Sequence, residues 1–148
     1  MNEKCEKIMT RGPVSCDPSD AITTAAERMR REDVGALPVL EGEDGWLVGI
    51  VTDRDLVTRA IARGLQPETT RVSDVMTRDV ATCLSDDPIE KAVERMEERH
   101  VRRLPIVDDD GRLMGIIAQA DLATRIHDRA LVAEFLEEVS EPVGTAAP

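Results

Sequence analysis

Polar turns and apolar runs follow one another in the same order twice along this chain. Ile22, Ala25, Ala26 and Met29 fall at helical spacing, as do Ile89, Ala92, Val93 and Met96, so each set predicts an amphipathic helix. Asp17-Pro18-Ser19-Asp20 and Ser85-Asp86-Asp87-Pro88 precede them as helix-start signals. A short strand is expected ahead of each turn, near Val14 to Cys16 and near Val80 to Leu84. Behind each helix, two apolar runs flank an acidic, glycine-containing turn. Leu37 to Leu40 and Trp46 to Val51 flank residues 41–45; Leu104 to Val107 and Arg112 to Ile117 flank residues 108–111. Both pairs read as hairpins. A closing helix is expected from Asp53 to Arg63, stopped by Gly64, and again from Gln119 to Asp128.

The order is repeated because the sequence is. Met9-Thr10-Arg11 recurs as Met76-Thr77-Arg78, Glu27-Arg28-Met29 as Glu94-Arg95-Met96, Leu37-Pro38 as Leu104-Pro105, and Gly49-Ile50 as Gly115-Ile116. An internal duplication of β-α-β-β-α units is the organising fact. The expected division is residues 1–66, residues 67–128, and a C-terminal piece over 129–148. Neither half is long enough to bury its own helices and sheet, so the expected fold is α+β, sandwich-like, with the halves packed sheet to sheet about a pseudo-twofold axis. Crevices between the halves are the natural ligand sites. In the C-terminal piece, Leu131, Val132, Phe135, Leu136 and Val139 form a helical stripe suited to docking on the body or on a second copy of the chain. Residues 141–148 are expected to be disordered.

Composition narrows the function. Of 148 residues, 41% are hydrophobic, enough for a core, but Trp46 and Phe135 are the only aromatics. The interior must therefore be aliphatic, with methionine as packing. A net charge of −11 disfavours nucleic acid and anionic membranes, so clustered arginines become informative. The three cysteines, Cys5, Cys16 and Cys83, make neither a disulfide framework nor a metal knuckle. Cys16 and Cys83 occupy equivalent strand positions, as small buried residues or as a redox contact. His100 and His127 lack partners at ligand spacing, so no metal is assigned. There is no apolar run of membrane-spanning length and no secretory pattern, and a cytoplasmic protein is expected. No nucleophile, dinucleotide or Walker motif suggests an enzyme.

The chemistry concentrates at Gly49-Ile50-Val51-Thr52-Asp53-Arg54-Asp55-Leu56, a buried strand running into a helix. Two readings stand side by side. Thr52 and Asp55 can form a capping box. They can also bind a ligand, with phosphate on the helix start and Thr52, and a ribose diol on Asp55.

With its duplicated Leu-Pro-Val and Gly-Ile-Val-Thr-Asp-Arg-Asp-Leu, the chain resembles the cystathionine-β-synthase (CBS) domain pair, or Bateman module, in its stand-alone bacterial form. The likeness runs from about Lys7 to His127. It implies a regulatory module that binds adenosine nucleotides or other adenosyl ligands, signals to a protein partner and has no obligatory cofactor; the homodimer is an expectation from the C-terminal stripe. It implies that Thr52 meets phosphate, Asp55 meets ribose, Val80 and Ala81 wall the adenine, and Arg102 and Arg103 reach phosphate. In the second copy Ala118 replaces the hydroxyl, and Gly35 and Ala36 stand where the arginine pair would be. One competent site is therefore expected, on Thr52, Asp55, Arg102 and Arg103, with a weaker one on Asp121 and Val14. The alternative is a dimeric interaction protein without a small ligand.

Overall fold

A computed structural model of the protein describes residues 3–125 together with 136 and 137. Its elements run α1 (Cys5–Ile8), β1 (Thr10–Arg11), α2 (Ile22–Glu32), β2 (Ala36–Glu41), β3 (Trp46–Thr52) and α3 (Asp53–Asp55), which passes into a π-helical stretch, Leu56–Ile61. The second half contains α4 (Val72–Val75), β4 (Cys83–Leu84), α5 (Ile89–Arg99), β5 (Arg103–Val107), β6 (Leu113–Ala118) and α6 (Gln119–Arg125). The fold is α+β.

These elements gather into two compact units that do not follow the order of the repeats. One holds Pro13–Val80 with Gly111–Leu113; we call it the Asp55 unit. The other, the Asp121 unit, holds the chain through Gly12, Ala81–Asp110 and the chain from Met114 on. The first dozen residues of the first repeat thus belong with the second repeat, and the start of the second repeat, through Val80, belongs with the first.

In the Asp55 unit, β2 and β3 form the expected antiparallel hairpin, with Leu37 opposite Val51 and Val39 opposite Gly49. Leu37, Val39 and Val51 are fully buried against Ile22, Ala25 and Met29 of α2. Single-residue bridges extend the sheet at both edges: Cys16 lies parallel to Val39, and Thr77 lies antiparallel to Ile50. The strand expected near Val14 shrinks to that one residue because the chain turns at once. The Asp17 N–H donates to Asp20 Oδ2 (2.9 Å), closing a turn. The helix expected over Asp53–Arg63 is α-helical for only one turn. The Ala62 and Leu65 N–H groups then reach back five residues to the Val57 and Ala60 carbonyls, at 2.8 and 3.0 Å.

In the Asp121 unit the strand order is β1-β6-β5-β4. Thr10 stands opposite Ile116, and Cys83 lies parallel to Ile106. α5 buries Ile89, Ala92, Val93 and Met96, the stripe read from the sequence. His100 ends α5 in the left-handed conformation, as Asp33 ends α2, so His100 has a backbone role. Of the C-terminal stripe only Leu136 lies among the described residues, where it packs on this core. The other stripe residues, His127 and the expected disordered tail lie outside them.

Neither α1, β1 nor α4 is legible as periodicity, since each is four residues or fewer. Their positions explain two repeated glycines. A Cβ on Gly49 would stand 2.9 Å from the Thr77 carbonyl oxygen and 2.8 Å from Met76 Sδ. One on Gly115 would stand 2.8 Å from the Thr10 carbonyl and from Met9 Sδ. The Met-Thr-Arg segments cross the Gly-Ile segments, and only glycine leaves room for the backbone.

Candidate functional site

Thr52 ends β3 in an extended conformation and caps the helix that follows. Its Oγ1 accepts the Asp55 N–H at 3.0 Å, and Asp55 Oδ2 accepts the Thr52 N–H at 3.1 Å, a complete capping box. Asp55 is 7% exposed, one of two buried polar or charged residues among those described. The Thr77 hydroxyl lies 3.4 Å from both of its carboxylate oxygens, and Arg59 Nε lies 3.7 Å from Oδ1. Arg59 Nη1 also donates to the Val75 and Met76 carbonyls, at 3.4 and 3.2 Å. A carboxylate has about four lone-pair positions. The cap takes one firmly; the Thr77 hydroxyl is long and shared between both oxygens.

Thr77 joins this corner from the second repeat, and its signal in the sequence is the second Met-Thr-Arg.

The second corner has the same backbone plan. Asp121 Oδ2 accepts the Ala118 N–H at 3.0 Å. The Gln119 N–H donates to the Arg102 carbonyl at 2.9 Å, as the Asp53 N–H donates to the Gly35 carbonyl at 2.9 Å. Arg102 and Arg103 are both exposed, and neither forms an ion pair among the described residues. Thr52, Asp55, Val14 and Val80 therefore belong to the Asp55 unit, whereas Ala81, Arg102, Arg103 and Asp121 belong to the Asp121 unit. The set of Thr52, Asp55 and the arginine pair is not brought together within either unit; the arginines adjoin the start of α6, the helix that carries Asp121. A hairpin returns its second strand beside the start of its first, so this neighbourhood was implicit in the sequence. Val80 is half-buried and Ala81 buried. Val14 packs on the core of the Asp55 unit.

A cavity of about 510 Å³ lies elsewhere in the Asp55 unit, between Arg71, Arg78, Val48 and Met76, and none of the expected ligand residues lines it. Among the described residues, no group of three His, Cys, Asp or Glu side chains is placed to hold a metal. No described helix is long and apolar enough to cross a membrane.

The CBS domain family pattern matches residues 5–61 and again 72–128. Hypoxic response protein 1 of Mycobacterium tuberculosis is 34% identical over 140 residues, which is 95% of this chain and 96% of that protein. The crystal structure of Hypoxic Response Protein I with two coordinated zinc ions superposes with a TM-score of 0.76 at 33% identity, over 84% of this chain and 99% of that one. An inosine-5'-monophosphate dehydrogenase from Methanocaldococcus jannaschii is 37% identical over 83% of this chain, but that is 23% of the enzyme. The CBS domain pair of protein MJ0100, crystallised with 5'-methylthioadenosine and S-adenosyl-L-methionine, has a TM-score of 0.71 at 27% identity over 84% of this chain and 95% of that one. With two tandem matches that together take in most of its length, the chain belongs to the CBS-domain family.

Proposed function

We propose that this protein is a regulatory sensor of an adenosyl ligand, and that occupancy shifts it between two arrangements that a protein partner distinguishes. The observation that supports this reading is the likeness to the MJ0100 domain pair, which was crystallised with two adenosyl ligands. The corners supply the local chemistry. At the Asp55 corner a ribose diol replaces the Thr77 hydroxyl on the carboxylate, Thr52 and the helix start face phosphate, and Val14 and Val80 offer apolar walls. At the Asp121 corner Ala118 leaves the capping position without a hydroxyl, but the exposed Arg102 and Arg103 are available to phosphate, with Ala81 in the same unit. The two corners are chemically unequal and suit ligands of different phosphate content. A ligand need only prefer one arrangement to move the equilibrium.

Calorimetric titration with AMP, ADP, ATP, 5'-methylthioadenosine and S-adenosylmethionine tests this. Asp55→Ala should abolish one class of binding and Asp121→Ala the other. Arg102→Ala with Arg103→Ala should weaken the phosphate-bearing ligands alone. At 100 times its Kd, a ligand adds about 2.7 kcal/mol to stability, a Tm rise of about 5–10 °C at this size. Absence of any binding at millimolar concentration, or binding indifferent to both aspartates, overturns the proposal.

A second reading, an interaction protein with no small ligand, is favoured by the engagement of Asp55 in its own cap and by the exposure of Val57 (54%) and Ile61 (64%), one turn apart. In that reading the protein is a dimer in ultracentrifugation, and Val57→Ser with Ile61→Ser makes it a monomer while the nucleotide series binds nowhere.

A further inference from the structure

The sequence shows three cysteines too far apart to suggest a bridge, yet the exchange of segments between repeats brings two of them together. α1 docks on the turn between β4 and α5. The Cys5 N–H donates to the Asp87 carbonyl (2.9 Å), the Glu6 N–H to the Ser85 carbonyl (3.0 Å), and Lys4 bridges Pro88. This seats Cys5 beside Cys83 in one buried cluster, at 0% and 3% exposure. Both thiols are free. The Cys5 thiol donates to the Pro88 carbonyl (3.9 Å), and the proximity of the two sulfurs raises Cys5 and holds the Cys83 thiol below its ordinary value.

The other repeat provides a built-in control. α4 repeats the docking of α1: the Val72 N–H donates to the Asp20 carbonyl (2.8 Å) and the Ser73 N–H to the Pro18 carbonyl (3.0 Å). There the strand cysteine is Cys16, and the residue in the place of Cys5 is Val72, fully buried. Cys16 has no thiol partner, and burial pushes it up to about 12. Packing at this position is therefore met by valine; a cysteine pair is not needed for it.

We infer that Cys5 and Cys83 are a reversible dithiol–disulfide pair that oxidises in the presence of a hydroperoxide and staples α1 to β4. The Cys83 thiolate attacks the peroxide O–O bond. Its sulfur is oxidised to sulfenic acid, and the leaving oxygen takes a proton and departs as water or an alcohol. The Cys5 sulfur then attacks Cys83, the S–O bond breaks, and the second oxygen leaves as water with the Cys5 proton. Two electrons pass from the thiols to the peroxide, and a dithiol reductant reverses the change. Because both sulfurs are buried, oxidation waits on local opening of α1, a four-residue helix.

The test uses the full chain, folded, with hydrogen peroxide. Free-thiol titration should fall from three thiols to one, and non-reducing peptide mapping should give a Cys5–Cys83 peptide with Cys16 free. The oxidised form should melt about 5–15 °C higher, because the bridge closes a long loop, and dithiothreitol should reverse the rise. Cys5→Val, the residue the other repeat uses, should fold and show no such rise. Cys16→Val should oxidise like the parent. Three thiols persisting in folded protein, Cys83 over-oxidised without a bridge, a bridge to Cys16 or between chains, or an unchanged response in Cys5→Val each overturn the inference.

Discussion

Gly49→Ala tests the crossing of the two repeats in isolation from any ligand. The new methyl carbon would meet the Thr77 carbonyl oxygen at 2.9 Å and Met76 Sδ at 2.8 Å. Ordinary contact begins at 3.4 Å, so the backbone must retreat by about half an ångström while the thioether swings aside. The carbonyl cannot retreat alone. It accepts the Ile50 N–H at 2.9 Å, and the Thr77 N–H donates to the Ile50 carbonyl at 2.8 Å. Overpacking of this kind costs about 1–3 kcal/mol, and weakening both hydrogen bonds adds about 1 kcal/mol. Alanine returns about 0.4–1 kcal/mol by restricting the unfolded chain. The net expectation is a loss of about 2–3 kcal/mol, or a Tm lower by about 5–10 °C. Urea denaturation followed by fluorescence of Trp46, the only tryptophan, measures it. Gly35→Ala is the control: its Cβ would meet Asp53 Oδ2 at 3.0 Å, the tip of an exposed side chain that can rotate away, and the expected change is within about 0.5 kcal/mol. If Gly49→Ala is no more costly than Gly35→Ala, the Met-Thr-Arg segment does not lie where the fold places it.

Asp55→Ala should destabilise the protein by about 1–2 kcal/mol with no ligand present, through loss of the capping box; an unchanged urea midpoint would show that the box holds nothing. Stability should fall as pH rises from about 9 to about 12, because burial, aided by the Asp20 charge, raises Cys16 to about 12 while the unfolded thiol releases its proton near 9.0. Below that window the contribution is level. Cys16→Ala should lack this part of the slope when urea midpoints at about pH 8 and pH 10.5 are compared. Arg112→Ala should shift Trp46 emission and cost about 0.5–1 kcal/mol, since the guanidinium lies 5.2 Å from the indole centroid; an unmoved spectrum would dismiss the contact.

The elements that were legible are those long enough to show a period. α2 and α5 carry full apolar stripes, and the hairpins carry β-branched runs around glycine turns, so both were placed to within a residue or two. α1, β1 and α4 were not, because two to four residues carry no period and their stability comes from partners far away in sequence. The contact of Thr77 with Asp55 depends on the Thr77 bridge to Ile50, which has no periodic signal in the sequence. The capping box, by contrast, is local chemistry and was legible from Thr52 and Asp55 alone. The change from α- to π-helical spacing after Asp55 has no counterpart among the described residues of α6 and no marker in the residues from Leu56 to Ile61.

The reciprocal exchange of segments bears on how a sensor built this way would work. Thr77 belongs to the second repeat but lies against the carboxylate of the first, and it also forms the edge bridge to Ile50. A ligand that takes the place of its hydroxyl on Asp55 therefore acts on a segment whose covalent continuation runs through Val80 and Ala81 into Cys83 and Leu84, the strand paired with Ile106 and Val107. Five residues separate Thr77 from β4 of the other unit. In the sensor proposed above, the peptide backbone itself would connect Asp55 to that strand. The same holds in reverse for Thr10 and Arg11 on β6, whose chain continues through Gly12 and Pro13 to Cys16. A duplicated sequence in which each copy closed its own sheet would have neither route.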